Sequence, residues 1–116
     1  MTRTDELRTA AARLFAAALA AQEDVNTNAY FACYDPATAY RDGLVNGFGG
    51  KSGDLAGMCT PDVMIGIARW LDHDAVQHVP VSECRYCDPA TNPGRVPCPG
   101  LTVARAINPA PEEPTR

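Results

Sequence analysis

The sequence predicts a mainly α-helical protein, in which a small helical domain is followed by a C-terminal loop held by zinc and a short final helix. Three observations predict this fold. Apolar residues recur at helical spacing in the first part of the chain, capping residues precede these segments, and cysteines gather near the C-terminus. We expect a helical region over 1–77, a zinc-binding segment of the zinc-knuckle or treble-clef kind over 78–108 packed on it, and a disordered tail over 109–116.

An amphipathic helix is predicted over 5–24. Its apolar residues form one stripe that we expect to pack in the core, namely Leu7, Ala11, Leu14, Phe15, Ala18 and Leu19. Thr4 is expected to cap this helix, and Asp5 and Glu6 suit the positive end of its dipole.

Two further helices are expected before residue 78. "YDPATAYRDGLVNG" predicts a short helix with Asp35 as its cap, and the glycine-rich stretch over 47–57 predicts a loop. Thr60 then caps the best-formed helix, whose buried face is expected to include Val63, Ile67, Trp70 and Leu71. Trp70 is the expected anchor of the core, because tryptophan buries the largest side-chain area.

Prolines at 80, 89, 93, 97 and 99 exclude long regular elements in the next segment. A type II turn is expected at Pro93–Gly94. "CPGLTVARAIN" predicts the final short helix, with Cys98 at the cap position and proline in the first turn. The tail over 109–116 lacks an apolar residue that could anchor it.

The cysteines of this segment have the spacing of metal ligands. Cys84 and Cys87 form a Cys-x-x-Cys pair, and ten residues separate Cys87 from Cys98 with a turn inside the interval. Three thiolates that converge in a reducing compartment favour zinc. Tetrahedral zinc needs a fourth ligand, which we expect to be His78. Two alternatives stay open, His73 and Cys59.

A site with three cysteines and one histidine has every position filled by protein, which is typical of structural rather than catalytic zinc. Structural zinc contributes on the order of 10–16 kcal/mol in small zinc-finger peptides. The net stability of a domain is about 5–15 kcal/mol. Zinc would therefore add substantially to a chain in which much of the apolar content is alanine.

The residues "HVP…CRYC…VPCPGLTVARAI" resemble the tails of small uncharacterised proteins of actinobacteria and their phages. These tails combine a His-x-Pro, a Cys-x-x-Cys and a Pro-Cys-Pro followed by a helix. The resemblance covers about the last third of the chain, and Gly100 and Val96–Pro97 depart from the family pattern. It implies a metal site at His78, Cys84, Cys87 and Cys98, without indicating a biological role.

Charge and composition bear on the class of partner. The net charge is −4 and no basic stripe is present, which argues against a double-stranded DNA binder. No run approaches the ~20 apolar residues of a membrane span. A secretion signal is also disfavoured, because Asp5 and Glu6 lie where such a signal is basic. We therefore expect a cytoplasmic protein.

The sequence argues against several nucleotide-binding and catalytic functions. "GGKSGD" has Val45 where a phosphate-binding loop needs glycine. The Cys-x-x-Cys pair lacks the βαβ context of a thioredoxin-like site, and no glutamate is placed for a zinc deaminase. Cys33 is expected to be a buried, inert side chain, and Asp72 and Asp74 a solvated helix exit.

The expected function is that of a non-catalytic binding or adaptor protein, with a protein as its partner. A single-stranded nucleic-acid-binding or regulatory zinc-finger protein is the first alternative, because Arg85, Tyr86, Arg95 and Arg105 surround the expected metal. A thiol redox or metal-handling protein is the second.

Overall fold

The structure, a computed structural model, describes residues 2–78 and 98–109. Within these ranges the regular structure is helical and contains no strand, which confirms the mainly α prediction. The elements in chain order are α1 (Arg3–Thr27), a 3₁₀ helix (Ala29–Phe31), α2 (Ala39–Phe48), α3 (Gly50–Met58), α4 (Pro61–Val76) and α5 (Pro99–Ile107). Helix α5 is the predicted final helix. Most of the expected disordered tail lies outside the described residues.

The chain divides into two compact units. The first unit comprises Met1–Leu14 and Ala68–Arg116, and the second comprises Phe15–Ile67. Helices α1 and α4 therefore contribute residues to both. None of the described helices combines the length and the apolar character that crossing a bilayer requires.

The core of the first unit is built largely from small side chains. Within 2–14, 68–78 and 98–109, the large side chains that are fully buried are Leu7 and Leu71. Other buried apolar residues of these helices are Ala10 and Ala11 of α1, Ala68 and Ala75 of α4, and Leu101 and Ala104 of α5. Because alanine buries little apolar area, this core gains less from the hydrophobic effect than a leucine-rich one of the same length.

Helix α5 is attached to α1 through polar contacts. The guanidinium of Arg105 donates two hydrogen bonds to the Glu6 carboxylate, at 3.2 and 3.3 Å. The side-chain amide of Asn108 donates to the Glu6 carbonyl at 3.0 Å. These contacts hold the last helix against the first, 99 and 102 positions away in the chain.

The N-terminus of α1 differs from the prediction. Thr2 rather than Thr4 is the cap, because the Thr2 hydroxyl accepts from the Asp5 N–H at 3.0 Å and the Asp5 carboxylate accepts from the Thr2 N–H at 3.3 Å. This reciprocal pair is a capping box. Thr4 is instead buried and its hydroxyl donates to the Ala75 carbonyl at 3.4 Å.

Trp70 is not the core anchor, and that prediction is wrong. Its side chain is 43% exposed, whereas its neighbour Leu71 is 0% exposed. The buried stripe of α4 runs through Ala68, Leu71 and Ala75, which turns Trp70 outward. On α1, Phe15 and Leu19 are likewise exposed although the sequence placed them on the buried stripe.

The loop predicted over 47–57 is wrong. In the second unit, helix α3 occupies most of this range. Gly49 and Gly50 have φ of 72° and 60°, so they supply the reversal between α2 and α3. A Cβ atom on Gly57 would lie 2.9 Å from Val45 Cγ2, and one on Gly53 would lie 3.1 Å from the Val45 carbonyl oxygen. These glycines therefore serve close helix packing, which the sequence pattern does not distinguish from flexibility.

The start of α2 also differs from the prediction. Asp35 is not a helix cap: its carboxylate accepts from the Ala37 N–H at 2.9 Å in a local turn, and α2 begins four residues after Asp35. The rings of Tyr30 and Phe31 pack against Gly43, where the Tyr30 hydroxyl donates to the Gly43 carbonyl at 2.6 Å. Cys33, predicted to be buried, is exposed.

Candidate metal centre

Three side chains with metal-binding atoms meet in the first unit where α4 ends and α5 begins. They are Asp74, His78 and Cys98, and their ligand atoms all lie within 4.8 Å of one another. His78 is 3% exposed and Cys98 is 2% exposed. Burial of an imidazole and a thiol together requires polar partners for both, and the following contacts provide them.

The backbone of α5 orients the Cys98 thiol. Cys98 is the N-cap of α5, and its Sγ accepts a hydrogen bond from the Leu101 N–H at 3.4 Å. Pro99 occupies the first turn, where its missing N–H costs nothing. A sulfur at a helix N-terminus lies in the positive field of the helix dipole, which favours the thiolate, the form that binds metals.

The backbone of α4 orients the His78 ring. Nδ1 lies 2.9 Å from the Asp74 carbonyl oxygen. Because a carbonyl oxygen only accepts, this hydrogen bond places the proton on Nδ1. Nε2 then carries the lone pair, and it lies 3.3 Å from Cys98 Sγ. The imidazole thus presents its metal-binding nitrogen to the sulfur.

The spacing of these two atoms fits a shared zinc ion. Tetrahedral zinc with Zn–S near 2.3 Å and Zn–N near 2.0–2.1 Å separates sulfur from nitrogen by about 3.6 Å. The observed 3.3 Å is close to that separation. A hydrogen-bonded thiol–imidazole pair has a similar spacing, so chemistry and burial must distinguish the two interpretations.

Of the four predicted ligands, the structure brings together His78 and Cys98. Cys84 and Cys87 lie in 79–97, outside the described residues. The two alternatives for the fourth ligand are placed differently from His78. His73 is exposed on α4, and Cys59 follows α3 in the second unit.

Asp74 is the residue of this cluster that the sequence analysis missed. Its Oδ2 lies 4.0 Å from His78 Nδ1, four positions along the chain. Two metal-binding residue types four positions apart were the signal available in the sequence, although His78 lies two residues beyond the end of α4. Asp74 was expected to form a solvated helix exit with Asp72, whereas α4 continues to Val76 and Asp74 belongs to the cluster.

The second unit contains an open cavity of about 400 Å³ between the starts of α2 and α4 and the end of α1. Arg41 lines it, but Asp62 lines it too, and Arg41 pairs with Asp42 at 3.3 Å. The opposing charges leave the cavity without a clear preference for anions or cations. The cluster at Cys98 therefore has the more specific chemistry.

The chain was compared with protein families, curated proteins and solved structures. No family model, curated protein or solved structure matches it.

Proposed function

We propose that this protein is a non-catalytic binding protein whose C-terminal third is held in place by a structural zinc ion. The proposed ligands are His78, Cys84, Cys87 and Cys98. The contact that carries the proposal is the buried approach of Cys98 Sγ to His78 Nε2 at 3.3 Å. Support also comes from the backbone hydrogen bonds that aim each of these two groups at the other.

The composition of the first unit gives zinc a physical role. Among the residues that the structure describes, its core contains many alanines and two fully buried large side chains, Leu7 and Leu71. Structural zinc adds on the order of 10–16 kcal/mol in small zinc-finger peptides, which is comparable with the whole stability of an ordinary domain. We infer that the metal fastens α5 to the end of α4.

A second candidate function follows from the same contact. A thiol within reach of an imidazole nitrogen is also the arrangement of a nucleophilic cysteine and its general base. Burial disfavours this function, because Cys98 and His78 are 2% and 3% exposed and a substrate needs access to the sulfur. A thiol redox role is weakened for the same reason.

A protein is the partner that charge and exposure favour. The net charge is −4, and Arg105, one of the cations considered for nucleic-acid binding, is engaged by Glu6. The second unit exposes the large apolar side chains Phe48, Leu55 and Met58, a composition more suited to protein than to nucleic-acid contacts. We place the protein in the cytoplasm, where cysteines remain reduced and able to bind zinc.

Metal analysis of protein purified without chelator tests the proposal. One zinc per chain is expected, and Cys98→Ser and His78→Ala should each abolish stoichiometric binding. Cys33→Ser and His73→Ala are matched controls, because both residues are exposed, and they should retain the metal. A metal-free wild-type protein, or zinc retained in both ligand variants, would overturn the proposal.

Alkylation distinguishes a nucleophilic cysteine, the second candidate function, from a structural zinc site. A zinc-bound thiolate should react slowly with iodoacetamide, and should react faster once a chelator has removed the metal. Modification of Cys98 at neutral pH that is rapid in the protein as purified, unchanged by a chelator and abolished by His78→Ala, would instead favour a nucleophilic thiol.

A further inference from the structure

We propose that Asp74 is a positioning residue for the metal-binding imidazole of His78, and that Gly100 is the position in α5 that makes room for it. This inference rests on the proposed zinc site and assigns to Asp74 a role outside the set of four ligands.

Asp74 contacts the side of the imidazole that faces away from Cys98. Its carbonyl oxygen accepts the Nδ1 proton at 2.9 Å, and its Oδ2 lies 4.0 Å from the same nitrogen. Nε2, on the other side of the ring, faces the sulfur. Histidines that bind metals regularly donate their second ring N–H to a carbonyl or a carboxylate, which fixes the ring and raises its basicity as a ligand. The Asp74 carbonyl is the acceptor, and the Asp74 carboxylate places a negative charge 4.0 Å from the same nitrogen.

The start of α5 approaches Asp74 too closely for a side chain at position 100. A Cβ atom built on Gly100 would collide with Asp74 Oδ2, and it would lie 3.1 Å from Asp74 Cγ and 3.3 Å from Leu7 Cδ2. Gly100 lies inside the first turn of α5, where alanine is otherwise favoured by about 1 kcal/mol. The glycine therefore lets the Asp74 carboxylate lie against the start of α5, and a side chain at position 100 would push that carboxylate aside.

This packing couples Asp74 to the sulfur as well as to the imidazole. Gly100 is two residues beyond Cys98, so any displacement of the α5 start from Asp74 also displaces Cys98 Sγ from His78 Nε2. The pair Asp74–Gly100 thus sets the distance between the two described ligand atoms. Asp74 lies near the end of α4, just before His78, and Gly100 lies at the start of α5, just after Cys98.

The contribution of the Asp74 carboxylate to zinc binding is tested by the zinc affinity, which is measured by competition with a chromogenic chelator. Asp74→Ala keeps the backbone carbonyl that accepts from Nδ1 and removes only the nearby carboxylate. It should therefore weaken zinc binding by about tenfold, the lower end of the usual effect of removing such a partner, and leave the stoichiometry at one. Asp72→Ala is the matched control, because Asp72 is an exposed aspartate on the same helix. It should change the affinity by no more than about twofold.

Cobalt substitution distinguishes positioning from coordination. If Asp74 is not a ligand, the absorption spectrum of the Co²⁺ protein should keep its shape in Asp74→Ala. A changed spectrum would show that Asp74 itself binds the metal and would overturn the positioning role. Equal zinc affinities of Asp74→Ala and Asp72→Ala would also overturn it.

Substitution at position 100 tests the steric part of the inference. Gly100→Ala should weaken zinc binding and lower the urea midpoint, and Asp74→Ala in the same chain should recover much of the loss because the colliding carboxylate is gone. Gly66→Ala is the control, since a Cβ there meets nothing within 4 Å. A Gly100→Ala protein that matches the wild type, or a double variant worse than the sum of the single ones, would overturn the inference.

The failures of the two proposals are distinguishable. Wild-type protein that takes up no zinc overturns the proposed function and the role of Asp74 toward the metal together. Wild-type protein that takes up zinc, with no loss in Asp74→Ala, overturns this inference alone.

Discussion

Cys98 Sγ lies 3.3 Å from His78 Nε2, although the two residues are 20 positions apart in the chain. The contact brings the beginning and the end of the intervening segment to one point. Closing a loop of this length costs conformational entropy, and a strong bond at its ends offsets that cost. A metal held by both residues would supply such a bond, which leads to the first prediction.

Removal of zinc should destabilise the protein. A strong chelator is expected to lower the thermal midpoint and reduce the helical signal, because α5 depends on the metal for its attachment to α4. Circular dichroism melts with and without chelator check this. His78→Ala serves as the control and should melt identically in both conditions. An unchanged melt of the wild type after complete zinc removal would contradict the prediction.

Leu71→Ala should be far more harmful than Trp70→Ala. Leu71 is fully buried, so its truncation should cost about 2–5 kcal/mol of unfolding free energy. Trp70 is 43% exposed, and its truncation should cost less despite the larger side chain. Urea denaturation of the two adjacent variants measures the difference. The opposite ranking would restore Trp70 as the anchor of the core.

Gly57→Ala should destabilise the second unit by about 1–3 kcal/mol, the usual cost of overpacking. The added methyl group would lie 2.9 Å from Val45 Cγ2 and 3.2 Å from the Arg41 carbonyl oxygen. Gly66→Ala is the matched control and should be neutral or stabilising by up to about 1 kcal/mol, because its surroundings are open. Equal urea midpoints for the two variants would show that α3 does not pack closely on α2.

The Asp42 carboxyl should titrate below its ordinary pKa of 3.8, chiefly because the Thr38 hydroxyl donates to it at 2.7 Å. A lowered pKa means that the contact stabilises the fold above pH 3.8, and that the contribution is lost as the pH falls through the folded-state pKa. NMR titration of the carboxyl carbon measures this value. Thr38→Val should raise the pKa toward 3.8; an unchanged pKa in that variant would rule out the hydroxyl as its main cause.

Much of the helical fold is predictable from local signals, and the failures have physical causes. Cys98 followed by proline predicted α5 correctly, because caps act within one turn. Gly53 and Gly57 misled the prediction, since close packing and chain flexibility both use glycine. Trp70 misled it too, because helical spacing does not say which side of a mixed apolar face is covered.

The candidate site is predictable from the sequence only in part. Residue type and spacing led to His78 and Cys98, whose ligand atoms meet in the described structure. Asp74 was missed because its role depends on how far α4 extends and on the approach of α5 at Gly100. The extent of α4 and the approach of α5 depend on tertiary structure, which the spacing of residues in the sequence does not predict.

X-ray absorption at the zinc edge measures directly which atoms surround the metal. The account predicts about three sulfurs near 2.3 Å and one nitrogen near 2.0–2.1 Å around each zinc. A shell composed of oxygen and nitrogen without sulfur would contradict it.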